Sequence, residues 1–293
     1  MRYGVVIPYA SEAEFTDLAQ MAEEAGWDMV FSWEAVWGQD AWVTLGAAAM
    51  VTEQIRLGTL LTPASRYRPW DLASRVASVD RLSGGRATLG VGLGTLHDNW
   101  LAFEADEGRA TRAAKLDEGL AVYAGLMAGQ PFSFSGEHYC ARPVTELIPP
   151  PPIQQPHPPV WCVGGLVPGA SRQRSLERAA RWQGVFPAVV GSYLDQPGSR
   201  LTLDTLREIV DRIAALRSAA GLSMQTYDVV VEGDSHGDFG QVRPPVERWG
   251  RAGATWWVES WWDLPDSPAG RAETARRVRL GPTHAVTSPP RQL

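Results

Sequence analysis

The sequence is poor in the residues that build disulfide frameworks and metal sites. Its 293 residues contain two cysteines, Cys140 and Cys162, and five histidines. The cysteines are too far apart for a CxxC pair, and no histidine pair has the spacing of a zinc site. These absences argue against a secreted disulfide scaffold and a metal-dependent barrel hydrolase, and they favour a reducing cytoplasmic setting.

Long apolar runs and blocks of like charge are missing as well. No apolar stretch approaches the roughly 18 to 20 residues that a membrane span needs. The opening residues, MRYGVVIPYA, lack the apolar core and cleavage signal of a signal peptide. The formal net charge is −6 and the arginines are scattered. Since nucleic acids and anionic membranes are bound by basic patches, we expect neither as a partner.

What the sequence does contain is a regular alternation of strand and helix patterns. Short apolar segments bounded by glycine or proline precede segments with apolar residues at helical spacing. The predicted strands are 2–8, 28–34, 55–63, 87–93, 160–164, 184–190, 227–232 and 255–259. The first predicted helix begins at a Ser11–Glu14 capping box and ends at Gly26. The later ones are 41–52, 69–82, 115–127, 171–181, 201–220, 245–252 and 268–280.

Eight strands, each followed by a helix, predict an α/β fold, a single (β/α)8 TIM barrel spanning residues 1–293. A doubly wound open sheet is the alternative, but it needs a topological switch point and usually has fewer units. The alternation breaks once, at 129–159, where FSFSGEHYCA is typical of a hairpin and a proline-dense loop follows. We expect this segment to be an insertion after the fourth helix that covers the barrel mouth.

The candidate site residues follow the strands, because active sites of such barrels lie at the carboxyl ends of the strands. Glu34 ends the second strand between Trp33 and Trp37. It is either a structural hydrogen-bond acceptor or a catalytic acid or base whose pKa the indoles raise. His97 alone among the histidines stands at a predicted strand end. The glycines of GVGLGT, among them Gly92, leave room for a bulky ligand.

A phosphate site is predicted after the fifth strand. Gly164 and Gly165 end this strand, and Arg174 lies in the first turn of the predicted helix that follows. Paired glycines let the backbone approach a ligand, and a helix amino terminus with added arginine favours an anion. A plain strand-to-helix turn is the alternative.

Several blocks of sequence resemble one family. They are EEAGWDMVF at 23–31, VTEQIRLGTLLTP at 51–63, RPWDLASRVASVDRLSGGRATLGVGLG at 68–94, FSFSGEHY at 132–139, PPVWCVGG at 158–165 and GATWWVES at 253–260. Across nearly the whole chain the sequence is similar to the bacterial luciferase-like, flavin-dependent monooxygenases and oxidoreductases. The resemblance implies a (β/α)8 barrel that binds reduced FMN or the deazaflavin coenzyme F420 across its mouth.

The resemblance also assigns roles to individual residues. Thr59 and Leu60 would contact the ring system, close to a non-proline cis peptide that many relatives carry in this strand, and Arg112 matches an arginine near the site. The cofactor phosphate would meet Gly164 and Gly165, and the ring would be walled by three indoles, Trp33, Trp37 and Trp161. The resemblance further implies a small organic substrate and, for a monooxygenase, a partner flavin reductase. Relatives often pair as homodimers.

One departure from the family concerns proton transfer. Many relatives end the second strand with Trp-Asp-His, whereas this chain has Trp33-Glu34-Ala35. The imidazole is gone, so either Glu34, His97 or the substrate supplies the proton, or the chemistry is reduced to hydride transfer. The departure keeps open a rival hypothesis, a non-catalytic ligand-binding barrel. A barrel hydrolase that uses Glu34 and Glu259 is a more distant alternative.

Overall fold

The computed structural model describes residues 1–96, 98–190, 201–235 and 245–282. Its strands and helices, in chain order, are β1 (Arg2–Val6), α1 (Glu12–Glu24), β2 (Met29–Ser32), α2 (Ala41–Ala49), β3 (Arg56–Thr59), β4 (Thr62–Pro63), α3 (Pro69–Leu82), β5 (Ala87–Gly92), α4 (Asp98–Leu101), α5 (Arg109–Ala128), β6 (Phe134–Ser135), β7 (Cys140–Ala141), β8 (Val160–Leu166), α6 (Arg174–Ala179), β9 (Gly184–Val189), α7 (Leu203–Ala219), β10 (Asp228–Gly233), α8 (Val246–Arg251), β11 (Trp256–Glu259) and α9 (Pro268–Leu280). The candidate His97 lies outside the described residues.

The strands form a closed parallel barrel. Their order around the ring is β3-β2-β1-β11-β10-β9-β8-β5, and β3 pairs with β5 to close it. The short β4 continues β3 and also pairs with β5. This closed arrangement confirms the (β/α)8 prediction, because a doubly wound sheet would remain open.

The third barrel strand is interrupted, although the sequence predicts one strand over 55–63. The peptide bond between Leu60 and Leu61 is cis. This is the non-proline cis bond that the family resemblance implies. The Leu60 N–H donates to the carbonyl of Ser32 at 2.8 Å, so the break is anchored to the end of β2.

The helices confirm several predicted boundaries and correct others. The capping box of Ser11 and Glu14 is present, and α3 begins at Pro69. Helix α5 begins at Arg109, six residues before the predicted start, and α6 begins at Arg174 instead of residue 171. Within the described ranges, no helix is long and apolar enough to cross a membrane.

Trp161 fills the inside of the barrel. The register places it between Gly90 on β5 and Gly184 on β9. A Cβ atom on Gly184 would lie 2.5 Å from Trp161 Cδ1, so the indole enters the barrel because its neighbour has no side chain. Its ring packs against Phe186 and Trp256, with centroids 5.8 and 5.3 Å apart, and the residue is 1% exposed. The structure therefore does not bring Trp161 to the mouth, where we expected it to wall the ring.

The insertion at 129–159 divides between two locations. Its hairpin, β6 with β7, lies along α5, where Glu118 accepts hydrogen bonds from three backbone N–H groups of residues 137–139. The Tyr139 hydroxyl reaches to 3.5 Å from the carbonyl of Tyr67, at the carboxyl rim. The proline loop instead lies at the amino end of the barrel, because the Gln154 amide donates to the carbonyl of Ala87, the first residue of β5, at 2.7 Å. Only the hairpin approaches the mouth, so the expectation that the whole insertion covers it is wrong.

The outer face of α2 is apolar. The helix, AWVTLGAAA, contains no charged residue. Val43 and the C-cap Met50 are 63% and 67% exposed, and Leu82 at the end of α3 is 51% exposed. A Cβ atom on Gly46 would lie 3.9 Å from Leu82 Cδ1, so the two helices present one surface. We call Val43, Met50 and Leu82 the α2 face.

Candidate active site

Two cavities open near the carboxyl ends of the strands. The first, here called the glycine cavity, measures about 370 Å³ and lies at the ends of β5, β8 and β9. Gly92, Gly94 and Gly165 contribute to its lining. A Cβ atom on Gly92 would come within 2.9 Å of Leu61 Cδ2 and 3.0 Å of Val163 Cγ2. The absence of a side chain at Gly92 therefore lets Leu61 and Val163, which also line the cavity, pack closely against the end of β5.

The second cavity lies on the β1 and β2 side of the mouth and measures about 520 Å³. Trp33 and Ala35 line it from the end of β2, and Arg271 lines it from α9. We call it the indole cavity. The Trp33 indole is half-buried, packs on the barrel interior and donates to the carbonyl of Pro8 at 2.6 Å. Ala35 is thus next to open space, where the family's imidazole is missing.

Glu34 is held by three hydrogen-bond donors. Thr62 Oγ1 and Trp42 Nε1 donate to its Oε1 at 2.5 and 3.0 Å, and the Tyr67 hydroxyl donates to its Oε2 at 2.6 Å. These donors come from β4, from α2 and from the turn after β4. The carboxylate therefore ties the end of β2 to the segment that follows the Leu60–Leu61 cis peptide.

The surroundings of this cluster raise the pKa values of both Glu34 and Tyr67. Burial raises the pKa of Glu34, the hydrogen bonds from Thr62, Tyr67 and Trp42 act against that rise, and the charge of Asp40 adds to it. Burial, followed by the nearby Glu34 charge, raises the pKa of the Tyr67 hydroxyl far above its ordinary value. Tyr67 therefore stays protonated at physiological pH and remains a donor to Glu34.

Thr59 and Leu60 lie beneath the mouth. The Thr59 hydroxyl is fully buried, lies 3.0 Å from the Gly90 carbonyl oxygen and accepts from the Gly90 N–H at 3.2 Å. Its side chain is engaged with β5. Leu60 is 7% exposed and belongs to the apolar cluster inside the barrel. Of Thr59, Leu60 and Leu61, Leu61 alone lines the glycine cavity, so the predicted ring contact of Thr59 and Leu60 stays a prediction.

The paired glycines have different surroundings. A Cβ atom on Gly164 would lie 2.5 Å from Val185 Cγ2 and 3.1 Å from Leu176 Cδ2, so this glycine permits close packing of α6 on the barrel. Gly165 lines the glycine cavity, and its N–H donates to Ser175 Oγ at 3.0 Å. Of the pair, Gly165 alone lines this cavity.

The predicted arginines occupy different places. Arg112 lines the glycine cavity, donates to the Leu93 carbonyl at 3.1 Å and has its Nε 3.0 Å from Asp106 Oδ1. Its 9% side-chain exposure and this ion pair fix the guanidinium at the rim. Arg174 is exposed and does not line the glycine cavity; it lines an adjoining trough between α5 and α6.

Glu232, a carboxylate at the end of the seventh predicted strand, faces the mouth. Val230 belongs to the interior apolar cluster, and Glu232 follows it by two residues on β10, so both side chains leave the strand on the same face. Glu232 is exposed and accepts from Trp262 Nε1 at 2.5 Å. The Trp262 ring stacks edge-on against Trp33, with centroids 5.7 Å apart. Position on a strand end was the available signal for Glu232, but no local motif marks Trp262.

Two further sequence candidates are placed away from the mouth. Trp37 is 86% exposed, so it does not wall a buried ring. Glu259 is 2% exposed and follows the interior residue Val258, so it points outward towards the helices. Its oxygens accept from Trp257 Nε1 at 2.7 Å and from a backbone N–H at 3.0 Å. Glu34 and Glu259 therefore do not form the paired carboxylates of a glycoside hydrolase.

Comparison with known proteins agrees with this geometry. The model of the luciferase-like monooxygenase family matches residues 1–236. The chain belongs to this family. An F420-dependent glucose-6-phosphate dehydrogenase of Beutenbergia cavernae is 38% identical over 135 residues, which cover 43% of this chain and 40% of that protein. The match thus spans about two fifths of the curated relative.

Solved structures of family members share the fold across the chain. The monooxygenase RslO1 from Streptomyces bottropensis superposes with a TM-score of 0.72 at 23% identity, covering 96% of this chain and 97% of that one. The coenzyme F420 dependent tetrahydromethanopterin reductase from Methanopyrus kandleri gives a TM-score of 0.68 at 17% identity, with coverage of 96% and 98%. At these identities the likeness concerns the barrel itself.

Proposed function

We propose that this oxidoreductase uses F420 and transfers hydride between the deazaflavin and the hydroxyl-bearing carbon of a small organic molecule. The observation that carries the proposal is the glycine cavity. It offers about 370 Å³ at the ends of β5, β8 and β9, and Arg109 and Arg112 contribute guanidinium groups that suit a phosphodiester. The family relative from Beutenbergia cavernae, named as F420-dependent, supports the deazaflavin over FMN.

The chain's own residues would position the reactants. When bound, F420 supplies the two-electron hydride acceptor or donor. Glu34 holds the segment around Leu60 through its contacts with Thr62 and Tyr67. Trp33 and Trp262 form an apolar wall that excludes water from the β2 and β11 side.

Glu232 would handle the substrate proton. It is the mouth carboxylate whose oxygen contacts an indole N–H while the residue stays exposed. In the oxidation direction the substrate carbon loses hydride, the substrate hydroxyl loses its proton to Glu232, and a carbonyl forms. In the reverse direction Glu232 returns the proton to the carbonyl oxygen.

Cofactor titration tests this proposal. Oxidised F420 and FMN, and their reduced forms, would be titrated separately into the purified chain and followed by fluorescence or calorimetry. We expect selective binding of F420, followed by loss of its visible absorbance when secondary alcohols, sugars or sugar phosphates are added. Selective binding of reduced FMN would replace the proposal with a monooxygenase that needs a partner reductase. Binding of F420 without turnover over the whole panel would favour the non-catalytic barrel.

A further inference from the structure

We infer that a basic trough between α5 and α6 binds the oligoglutamate tail of F420. The inference rests on the proposed function, because F420 carries such a tail beyond its phosphate and FMN does not. The trough measures about 680 Å³. Leu93, Arg109, Ser175 and Arg178 line both the trough and the glycine cavity. A ligand bound in the cavity can therefore extend into the trough without crossing a wall of protein.

The trough is more basic than the protein as a whole. Five arginines and two carboxylates line it, while the chain has a formal net charge of −6. The arginines are Arg109, Arg172, Arg174, Arg178 and Arg181. The carboxylates, Asp117 and Glu177, leave most of this positive charge uncompensated.

The ion pairs show which arginines are already engaged. Arg178 is buried and donates to both oxygens of Asp117, at 2.8 and 2.7 Å. Arg172 contacts Glu177 at 3.1 Å. Arg181 lies 3.7 Å from the same Asp117, whose charge Arg178 already shares. Arg109 and Arg174 have no carboxylate partner within the described part of the chain.

The shape of the trough suits an extended peptide-like chain. Its α5 side is formed by small side chains, Ala110, Ala113 and Ala114. Arg109 stands at the end of this α5 side, and the other four arginines belong to α6 and the residues that flank it. Successive carboxylates of a glutamate chain can then contact guanidiniums on either side, which a single compact phosphate cannot do.

The experiment is a series of F420 forms that differ in glutamate number. Forms with no glutamate, two glutamates and five or more would be titrated into the full chain by deazaflavin fluorescence, at low and high salt. We expect the affinity to rise by about 3- to 30-fold along the series at low salt, since each exposed ion pair contributes a few tenths to one kcal/mol. The gain should shrink at high salt because exposed charges are screened.

A double variant tests whether the arginines of the trough produce the dependence of affinity on glutamate number. Arg174→Gln with Arg181→Gln should remove most of the dependence on glutamate number, while the affinity for the glutamate-free form stays within about twofold. Arg207→Gln with Arg212→Gln is the control, because these residues are exposed arginines on α7 and the change in net charge is the same. Thermal melting confirms that both variants are folded.

Three outcomes separate the two proposals. Equal affinity for every glutamate number would overturn the trough while leaving F420 as the cofactor. A dependence on glutamate number that persists in the Arg174 and Arg181 variant would also overturn it, since the tail would then bind elsewhere. Binding of FMN with no binding of any F420 form would instead overturn the proposed function, and the trough assignment with it.

Discussion

Removing the Tyr67 hydroxyl should destabilise the fold in a pH-dependent way. In Tyr67→Phe, Glu34 Oε2 loses a donor at 2.6 Å, within the 2.5–2.7 Å typical of O–H···O⁻ bonds. A hydrogen bond to a charged group contributes about 1.5–3 kcal/mol, and one to a neutral group about 0.5–1.5 kcal/mol. We therefore expect a loss of about 1 kcal/mol at pH 4, where the raised pKa keeps Glu34 protonated, and a larger loss, towards about 2 kcal/mol, at pH 8, where a greater share of Glu34 is ionised.

The direction of this change follows from the raised pKa of Glu34. A carboxyl whose pKa is higher in the folded state favours folding most at low pH, and that contribution is lost as the pH rises from the ordinary value of 4.5 through the folded pKa. The Tyr67 hydrogen bond lowers this pKa, so its removal raises the pKa further. A difference of about 1 kcal/mol between pH 4 and pH 8 corresponds to somewhat less than one pKa unit.

Urea unfolding at both pH values measures the effect, with the free energy of unfolding taken from linear extrapolation. Tyr139→Phe is the matched control, because its hydroxyl reaches only a carbonyl at 3.5 Å and contacts no carboxylate. If Tyr67→Phe lowered the free energy of unfolding by the same amount at pH 4 and pH 8, the Tyr67 hydrogen bond would not depend on the charge of Glu34. A loss at pH 8 no greater than that of the control would likewise contradict a charged Glu34 anchor.

Three other substitutions test separate parts of the molecule. Gly164→Ala should cost about 1–3 kcal/mol in urea unfolding by crowding Val185 on β9 and Leu176 on α6. Gly165→Ala should also weaken cofactor binding in calorimetry, because its Cβ would lie 2.9 Å from Val190 Cγ2 and displace a side chain that lines the glycine cavity. Glu232→Gln should lower the hydride-transfer rate by about 10²–10⁴-fold, with cofactor affinity unchanged in the cofactor titration.

The barrel could be predicted because each strand and each helix has a recognisable pattern in its own local sequence. Buried parallel strands are short apolar runs, and the helices between them carry apolar residues at helical spacing. The pattern failed where a buried position is polar. Helix α5 begins at Arg109, but its first buried member is Arg112, so the apolar spacing starts only near Leu116. The break at Leu60–Leu61 was inferred from the family resemblance, since no local residue pattern requires it.

The site was harder to predict because its contacts join distant segments. The donors to Glu34 stand 8, 28 and 33 residues further along the chain, and no sequence spacing links them. For Trp161 the strand was predicted correctly, but the location of its side chain was not. Only the register with Gly90 and Gly184 shows that its indole fills the core. The basic trough likewise exists because β5 and β8 are neighbours, which brings α5 beside α6.

The loss of the family's imidazole at Ala35 agrees with the state of Glu34. A carboxylate with three donors is poorly suited to exchange protons with a substrate, because each exchange would break hydrogen bonds that hold β4 and α2 in place. Glu232 has one indole donor, is exposed and faces the mouth from β10. Under the proposed function, the proton would be handled at Glu232 on β10 and not at the end of β2, and the indole cavity beside Ala35 would be available to the substrate. The rate of Glu232→Gln tests this relocation of the acid–base group.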